Sequence, residues 1–234
     1  KSAVVGTQPA AGLEGSGLGA YDRTLLTEEL SRFPEWFAER LLGCRLDKTE
    51  SGLIEALHQQ LIGSALEQPT VLVHRDFHSR NLMLLSADEL ALIDFQDAVI
   101  GPVTYDLVSL LRDCYIQWPP AQVEAWALAY RERLLARGQL SGVSEETFLR
   151  WFDWMGLQRH LKVLGTFARL YLRDGKAAYL ADLPLVMAYV LQILDRYAPE
   201  VPVFATFAHW FRQSLLPLAQ AQDSIAALAG SLPD

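Results

Sequence analysis

The segment His74-Arg75-Asp76-Phe77-His78-Ser79-Arg80-Asn81 lies between the apolar run Val71-Leu72-Val73 and a pair of apolar runs that ends at Ile93-Asp94-Phe95. It restricts this chain more than any other feature. Short apolar runs bounded by polar residues read as strands. Asn81-Leu82-Met83-Leu84-Leu85 and Leu90-Ala91-Leu92-Ile93, joined by Ser86-Ala87-Asp88-Glu89, have the form of a β-hairpin, and Val71-Leu72-Val73 that of a short buried strand. A hairpin brings the end of its second strand back to the start of its first. Asp94 is therefore expected beside the loop that carries Asp76 and Asn81.

Elsewhere the apolar residues recur at helical spacing. Leu25, Leu26 and Leu30 begin a helix at about Asp22. Pro34 should kink or restart it, because proline has no N–H to donate, and Gly43 should end it. Leu53, Leu57, Leu61 and Ala65 predict a second helix over 48–66. Beyond Tyr105 the pattern predicts helices after Asp106 and over 120–137, 144–173, 183–197 and 203–229, the last breaking at Pro217. No internal repeat is visible. The expected fold class is mainly α with a small catalytic β-hairpin. Residues 1–20 are rich in Gly, Ala and Ser and read as a linker. Their glycines do not make a phosphate-binding loop: the spacing from Gly15 and Gly17 fails at Ala20, and no strand precedes it.

Composition narrows the classes of function. Half of the 234 residues are hydrophobic, with six Trp, ten Phe and eight Tyr, so the chain can build a packed core. A net charge of −8 argues against general nucleic-acid binding and suits a metabolic enzyme. Cys44 and Cys114 are far apart in apolar helical contexts and read as reduced core thiols rather than a disulfide. No uninterrupted apolar run reaches the roughly 18–20 residues of a membrane span, and no signal peptide is apparent, so the expected location is the cytoplasm with no membrane partner.

The loop and hairpin suit phosphoryl transfer, which needs positioning and charge neutralisation more than covalent help. A carboxylate beside an acceptor hydroxyl orients it and takes its proton, and Asp76 is the candidate. Mg²⁺ prefers oxygen ligands, and Asn81 and Asp94, at the two ends of a tight hairpin, supply them.

A strand, H-R-D-x-x-x-x-N and a hairpin ending in I-D-F together resemble the kinase-like phosphotransferases. His78 stands where protein kinases usually carry Lys, and Asp94-Phe95-Gln96-Asp97 where they read D-F-G. With Gly101-Pro102-Val103-Thr104-Tyr105-Asp106-Leu107, these features move the resemblance to the aminoglycoside phosphotransferase and choline kinase branch. Within that branch, Phe33-Pro34-Glu35-Trp36 and Gln158-Arg159-His160-Leu161-Lys162-Val163-Leu164-Gly165 resemble bacterial anomeric kinases of N-acetylmuramate and N-acetylglucosamine. The resemblance covers most of residues 21–197. It implies the C-terminal lobe of a protein-kinase-like α+β fold, an ATP-dependent enzyme using Mg²⁺, and an amino sugar phosphorylated at its anomeric hydroxyl in cell-wall recycling. Asp76 would be the base, Asn81 and Asp94 the metal ligands, and His74 a support of the loop. Asp106 reads as a helix-start carboxylate capping its own helix, or as a brace for the loop. Asp97 is a second metal contact or a brace. His78 and Arg80 are candidate substrate or phosphate contacts, or shape the loop.

Arg159, Lys162, Arg169 and Arg173 fall in one arc of a helix whose opposite face holds Trp154, Leu157, Leu161, Leu164 and Ala168. The arc reads first as a solvated face. The sharper reading makes Arg159 and Lys162 contacts for a substrate carboxylate or a nucleotide phosphate. The phosphate-gripping half that this resemblance implies, a Gly-rich turn and a strand lysine, has no match: only Lys1 and Lys48 precede the motif, and Lys48 sits in a polar turn. Residues 21–234 therefore read as the substrate and metal lobe, with 1–20 as a remnant of the connection. The floor of the nucleotide cleft would be exposed as an association patch. An aminoglycoside or choline-type kinase, and a non-catalytic kinase-like lobe, are the alternatives.

Overall fold

Apolar residues spaced three and four apart bury one stripe of each helix, and helices account for most of the structure. The computed structural model describes residues 17–86 and 89–222. Most of the expected linker, the hairpin tip Ala87-Asp88 and the end of the last expected helix lie outside the described residues. The chain divides into two compact units, one of residues 1–23 and 64–156, the other of residues 24–63 and 157–234.

The first unit holds all the strands among the described residues. Thr70–Val73 (β1) pairs antiparallel with Val99–Pro102 (β4), Thr70 opposite Pro102 and Val73 opposite Val99. Leu82–Ser86 (β2) and Glu89–Leu92 (β3) form the expected hairpin, with a register shift between Leu84 and Ser86. Strand β4 was not expected, and Gly and Pro are both unfavourable within a strand. Both are tolerated here for local reasons. Pro102 ends the strand, where a missing donor costs least. At Gly101 a Cβ would lie 2.7 Å from the Cβ of Tyr21. Ala20 bridges Ile100 in the parallel sense, the Tyr21 N–H donates to the Ile100 carbonyl at 2.8 Å, and the Ile100 N–H to the Gly19 carbonyl at 2.9 Å. The end of the expected linker thus runs along β4. Strand β1 is buried at Val73, but Leu72 is 52% exposed, so the expectation of a wholly buried strand does not hold: a two-stranded sheet leaves one side open.

Helices Tyr105–Leu111 (α3) and Pro120–Ala136 (α4), with the first half of Glu145–Asp174 (α5), complete this unit. Val103, Leu134, Leu140, Val143, Phe148 and Trp151 form a buried cluster beneath them.

In the second unit Arg23–Arg32 (α1) continues into a π-helical stretch, Phe33–Leu41, and Gly43 closes it in the left-handed region at φ +71. Lys48–Leu66 (α2) begins with a reciprocal cap: the Glu50 N–H donates to Asp47 Oδ1 at 2.8 Å, and the Asp47 N–H to Glu50 Oε2 at 2.9 Å. Leu183–Tyr197 (α6), Pro202–Trp210 (α7) and, after a second π-helical stretch at Phe211–Leu215, Leu216–Gln220 (α8) follow. The expected kink at Pro34 and break at Pro217 thus take the form of widened turns. Each π-helical stretch adjoins one of these prolines, whose ring and missing N–H disrupt ordinary helical bonding. Phe33, Phe37, Phe207 and Phe211 stack in the core of this unit, with centroids 5.8 Å apart for Phe33–Phe37 and 6.4 Å for Phe33–Phe211. By length and composition Ala177–Tyr197 could cross a membrane, but half of it is buried in the protein. Leu183, Val186, Val190 and Leu194 of α6 are fully buried core residues. Cys44 and Cys114 are free, buried thiols.

Helix α5 departs most from its expected amphipathic form. Every residue from Trp151 to Leu161 is buried, including Asp153, Gln158, Arg159 and His160. Burial of these polar groups is tolerated because they have partners. Lys162 Nζ pairs with fully buried Glu29 at 2.8 Å, Gln158 Nε2 reaches the same carboxylate at 3.5 Å, and the His160 ring stacks on Tyr189 at 4.8 Å. The basic arc is therefore not a solvated face at Arg159 and Lys162.

A Cβ at Gly165 would lie 2.2 Å from the Arg32 carbonyl oxygen and 2.3 Å from its carbon. Gly165→Ala is expected to destabilise by about 1–3 kcal/mol or more in chemical denaturation, despite the roughly 1 kcal/mol helix-propensity gain, since backbone cannot move aside as a side chain can.

His58, 7% exposed in α2, has a buried Nε2 without a hydrogen-bond partner among the described residues. Burial, opposed by Glu55, lowers its pKa from 6.5 to about 4. Between those values the unfolded chain binds a proton that the folded chain refuses. The His58 contribution is thus full above the unfolded pKa and is lost as pH falls towards 4, by roughly 3 kcal/mol in all. Urea midpoints across this window should fall more steeply for the parent chain than for His58→Leu.

Candidate active site

The loop from His74 to Asn81 leaves β1 and is held at its start by α3. Asp106, in the first turn of α3, accepts the His74 N–H on Oδ2 at 2.7 Å and the Arg75 N–H on Oδ1 at 3.1 Å. This helix-start carboxylate therefore serves the neighbouring loop. The same charge, after burial itself, raises the Tyr130 pKa. His74 Nε2 lies 3.0 Å from the Ile93 carbonyl, which can only accept, so Nε2 carries a proton. The Ile93 N–H in turn donates to the Asn81 carbonyl at 3.2 Å. The hairpin end is thereby tied to both ends of the loop, as the strand pattern required.

The middle of the loop turns on itself. The His78 N–H and Asn81 Nδ2 both donate to the Asp76 carbonyl, at 3.1 and 2.9 Å. Ser79–Asn81 is a single 3₁₀ turn. The Asp76 carboxylate sits on this fixed backbone, half-buried. Among the described residues, the only non-glycine residues at positive φ are Arg75 at +74 and Asp94 at +68. Such backbone is costly for residues with a Cβ and persists where the surroundings over-determine it. Both lie here, one beside Asp76 and one at the proposed metal ligand.

The donor set fits Mg²⁺ chemically. Asn81 commits Nδ2 to the Asp76 carbonyl, so its Oδ1 remains the group suited to a cation. Asp94 is exposed, and its Oδ1 accepts Gln96 Nε2 at 2.7 Å, which orients the carboxylate and leaves Oδ2 for a cation. No group of three His, Cys, Asp or Glu capable of holding a metal occurs among the described residues. Mg²⁺ bound through one or two protein oxygens, phosphate and water requires none. Asp97 is exposed in the connection between β3 and β4.

Other side chains complete the loop. Asp113, 1% exposed just beyond α3, accepts the Ser79 N–H at 2.9 Å and Ser79 Oγ–H at 2.6 Å on Oδ2, and the Tyr115 N–H at 3.2 Å on Oδ1. The Arg80 guanidinium lies 3.4 Å over the Tyr115 ring, and the His78 ring meets that ring edge-on at 5.6 Å. Neither Asp113 nor Tyr115 was singled out in the sequence. The available signal was a charged Arg112-Asp113 pair closing an otherwise apolar helix, two turns beyond Asp106. Arg159 and Lys162 belong to the second unit, where Lys162 is paired with Glu29.

Around the hairpin Leu72, Met83, Leu84, Leu90, Leu92 and Phe95 are exposed, Leu84 to 69% and Phe95 to 67%. Leu84 lies opposite Leu90 in the register, with Leu92 two residues further on the same face, and exposed apolar surface of this kind usually marks a place where something binds.

The sequence model of the phosphotransferase enzyme family matches residues 8–142, more than half of the chain. Among curated proteins, the chain is 44% identical over 188 residues to a Neisseria meningitidis protein named N-acetylmuramate/N-acetylglucosamine kinase, covering 80% of this chain and 56% of that one. It is 46% identical over 184 residues to a protein of that name from Pseudomonas putida, covering 79% and 54%. A Caulobacter vibrioides protein of the same name is 31% identical over 195 residues, covering 82% and 50%. The chain spans about half the length of these relatives.

Proposed function

Because the chain belongs to the phosphotransferase enzyme family, we propose that residues 21–234 form the substrate and metal lobe of an ATP- and Mg²⁺-dependent kinase acting on the anomeric hydroxyl of N-acetylmuramate or N-acetylglucosamine. The observation that carries this reading is the bonded loop itself, in which Asp76, Asn81 and Asp94 stand on backbone fixed by Asp106, His74 and Ile93. The names of the relatives support the amino sugar as acceptor.

In this reading Asp76 accepts a hydrogen bond from the acceptor hydroxyl, aligns its oxygen with the γ-phosphorus and takes its proton as the new O–P bond forms and the bond from the γ-phosphorus to the β,γ-bridging oxygen breaks, with ADP leaving. Asn81 Oδ1 and the Asp94 carboxylate would hold Mg²⁺, which when bound would neutralise charge on the phosphates. His78 and Arg80 are candidate contacts for phosphate or sugar, and Asp97 a candidate further metal contact. The exposed apolar hairpin face is the floor on which the nucleotide and its covering lobe sit. An ATP-dependent role in cell-wall recycling supports a cytoplasmic location.

The test is ADP release by the purified chain with Mg·ATP and, separately, N-acetylmuramate, N-acetylglucosamine, kanamycin and choline. Sugar binding is followed in parallel by ligand-observed NMR. Release, or at least binding, with the two sugars alone is expected. Turnover confined to kanamycin or choline would overturn the sugar assignment. Mg·ATP and sugar binding without any turnover would favour a lobe that needs its counterpart.

A further inference from the structure

We propose that Asp113 is a positioning residue for the metal ligand Asn81, acting through Ser79, so that helix α3 and the residues at its exit hold both ends of the active-site loop. This rests on the kinase reading for its consequence, but the clamp itself is geometric. Asp106 in the first turn of α3 receives the N–H groups of His74 and Arg75. Asp113, seven residues on and just past the last turn, receives both donors of Ser79 on one oxygen. Asp106 thus sits in the first turn of the helix and Asp113 two residues past its last residue, Leu111, so the two carboxylates stand at the start and the exit of one short element.

The second clamp is built as a positioning device rather than a surface contact. Asp113 is 1% exposed, so its carboxylate oxygens depend on donors within the protein. Its Oδ1 takes the Tyr115 N–H, which holds the ring against Arg80 and His78 on either side of Ser79. The gripped residue begins the 3₁₀ turn whose last residue is Asn81. The Asn81 N–H returns to the His78 carbonyl at 3.0 Å, and its Nδ2 to the Asp76 carbonyl. Rotation of Ser79 therefore moves the Asn81 carboxamide relative to Asp76. Asp106 restrains the base end of the loop and Asp113 the metal end.

Asn at position 113 keeps one acceptor oxygen and turns the other into a donor facing either Ser79 or the Tyr115 N–H. Ser79→Ala removes the hydroxyl donor and keeps the backbone one. The experiment measures amide hydrogen exchange by NMR, and the Mg²⁺ and sugar dependence of turnover, in the full chain. In Asp113→Asn, exchange at Ser79 and Asn81 should accelerate at least about tenfold while His74 and Arg75 remain protected. The half-saturating Mg²⁺ concentration should rise by a similar factor with the sugar KM unchanged. Ser79→Ala should give a smaller change of the same pattern, and Asp106→Asn the reverse pattern at His74 and Arg75.

Unchanged exchange at Ser79 and Asn81, or equal loosening of the whole loop, overturns the clamp. Local loosening without a Mg²⁺ shift in an active chain overturns its link to Asn81. A chain with no turnover and no Mg²⁺ binding fails the kinase reading, and with it the metal role, while the exchange data still decide whether Asp113 holds the turn.

Discussion

Asp76→Asn is expected to lower kcat for phosphate transfer by about 10²–10⁴-fold, the usual contribution of a positioned general base. KM for sugar and for ATP should change little. The separation follows from how the loop is held. Asp76 contributes its backbone carbonyl to the His78 N–H and Asn81 Nδ2, and both bonds survive loss of the side-chain charge. The chain on either side is anchored independently, through Asp106 at His74 and Arg75 and through Asp113 at Ser79. The carboxamide therefore occupies the same place without the proton affinity to accept the acceptor's proton. Steady-state ADP release across a series of sugar concentrations, with thermal unfolding as a check on the fold, measures this. A kcat close to the parent's would remove Asp76 from the chemistry. A large rise in sugar KM at unchanged kcat would make it a binding residue.

Spacing made the elements of this loop legible and left most of what holds them hidden. The hairpin, the return of Ile93 to Asn81 and the helix after Asp106 all follow from short-range patterns, which one sequence displays directly. Strand β4 did not, because Gly101 and Pro102 are breakers unless one knows that Tyr21 crowds the first and that the strand ends at the second. Helix α5 misled for a related reason. Polar residues on a helix predict a wet face, yet Lys162 is neutralised by Glu29 from a helix far away in sequence. Asp113 was missed because its partner, Ser79, is 34 residues distant and neither belongs to the recognised pattern. A lone sequence shows which residues have the chemistry for a site. It does not show which distant residue satisfies a buried charge.

Asp153→Ala is expected to be the most destabilising of the substitutions considered for the first unit. Arg112 Nη2 meets Asp153 Oδ1 at 2.5 Å, with the two side chains 9% and 1% exposed. The guanidinium also lies 4.6 Å from the Phe152 ring centroid, and Gly156 leaves room for it, since a Cβ there would come within 3.1 Å of Nη1. Removing the carboxylate leaves a buried guanidinium without this ion pair. Breaking a buried pair in this way costs about 3–5 kcal/mol. For a chain of this size that corresponds to a fall in Tm of roughly 6–20 °C. The attraction itself is not the source of that cost. An apolar pair of similar volume, Arg112→Met with Asp153→Leu, is expected to recover most of the loss, because both desolvated charges disappear together. Chemical denaturation of the two singles and the double separates these contributions. A double variant as unstable as Asp153→Ala would mean that the pair contributes net attraction. Since Arg112 directly precedes Asp113, the single Asp153→Ala should also accelerate exchange at Ser79 before the unit unfolds, and the double should restore it.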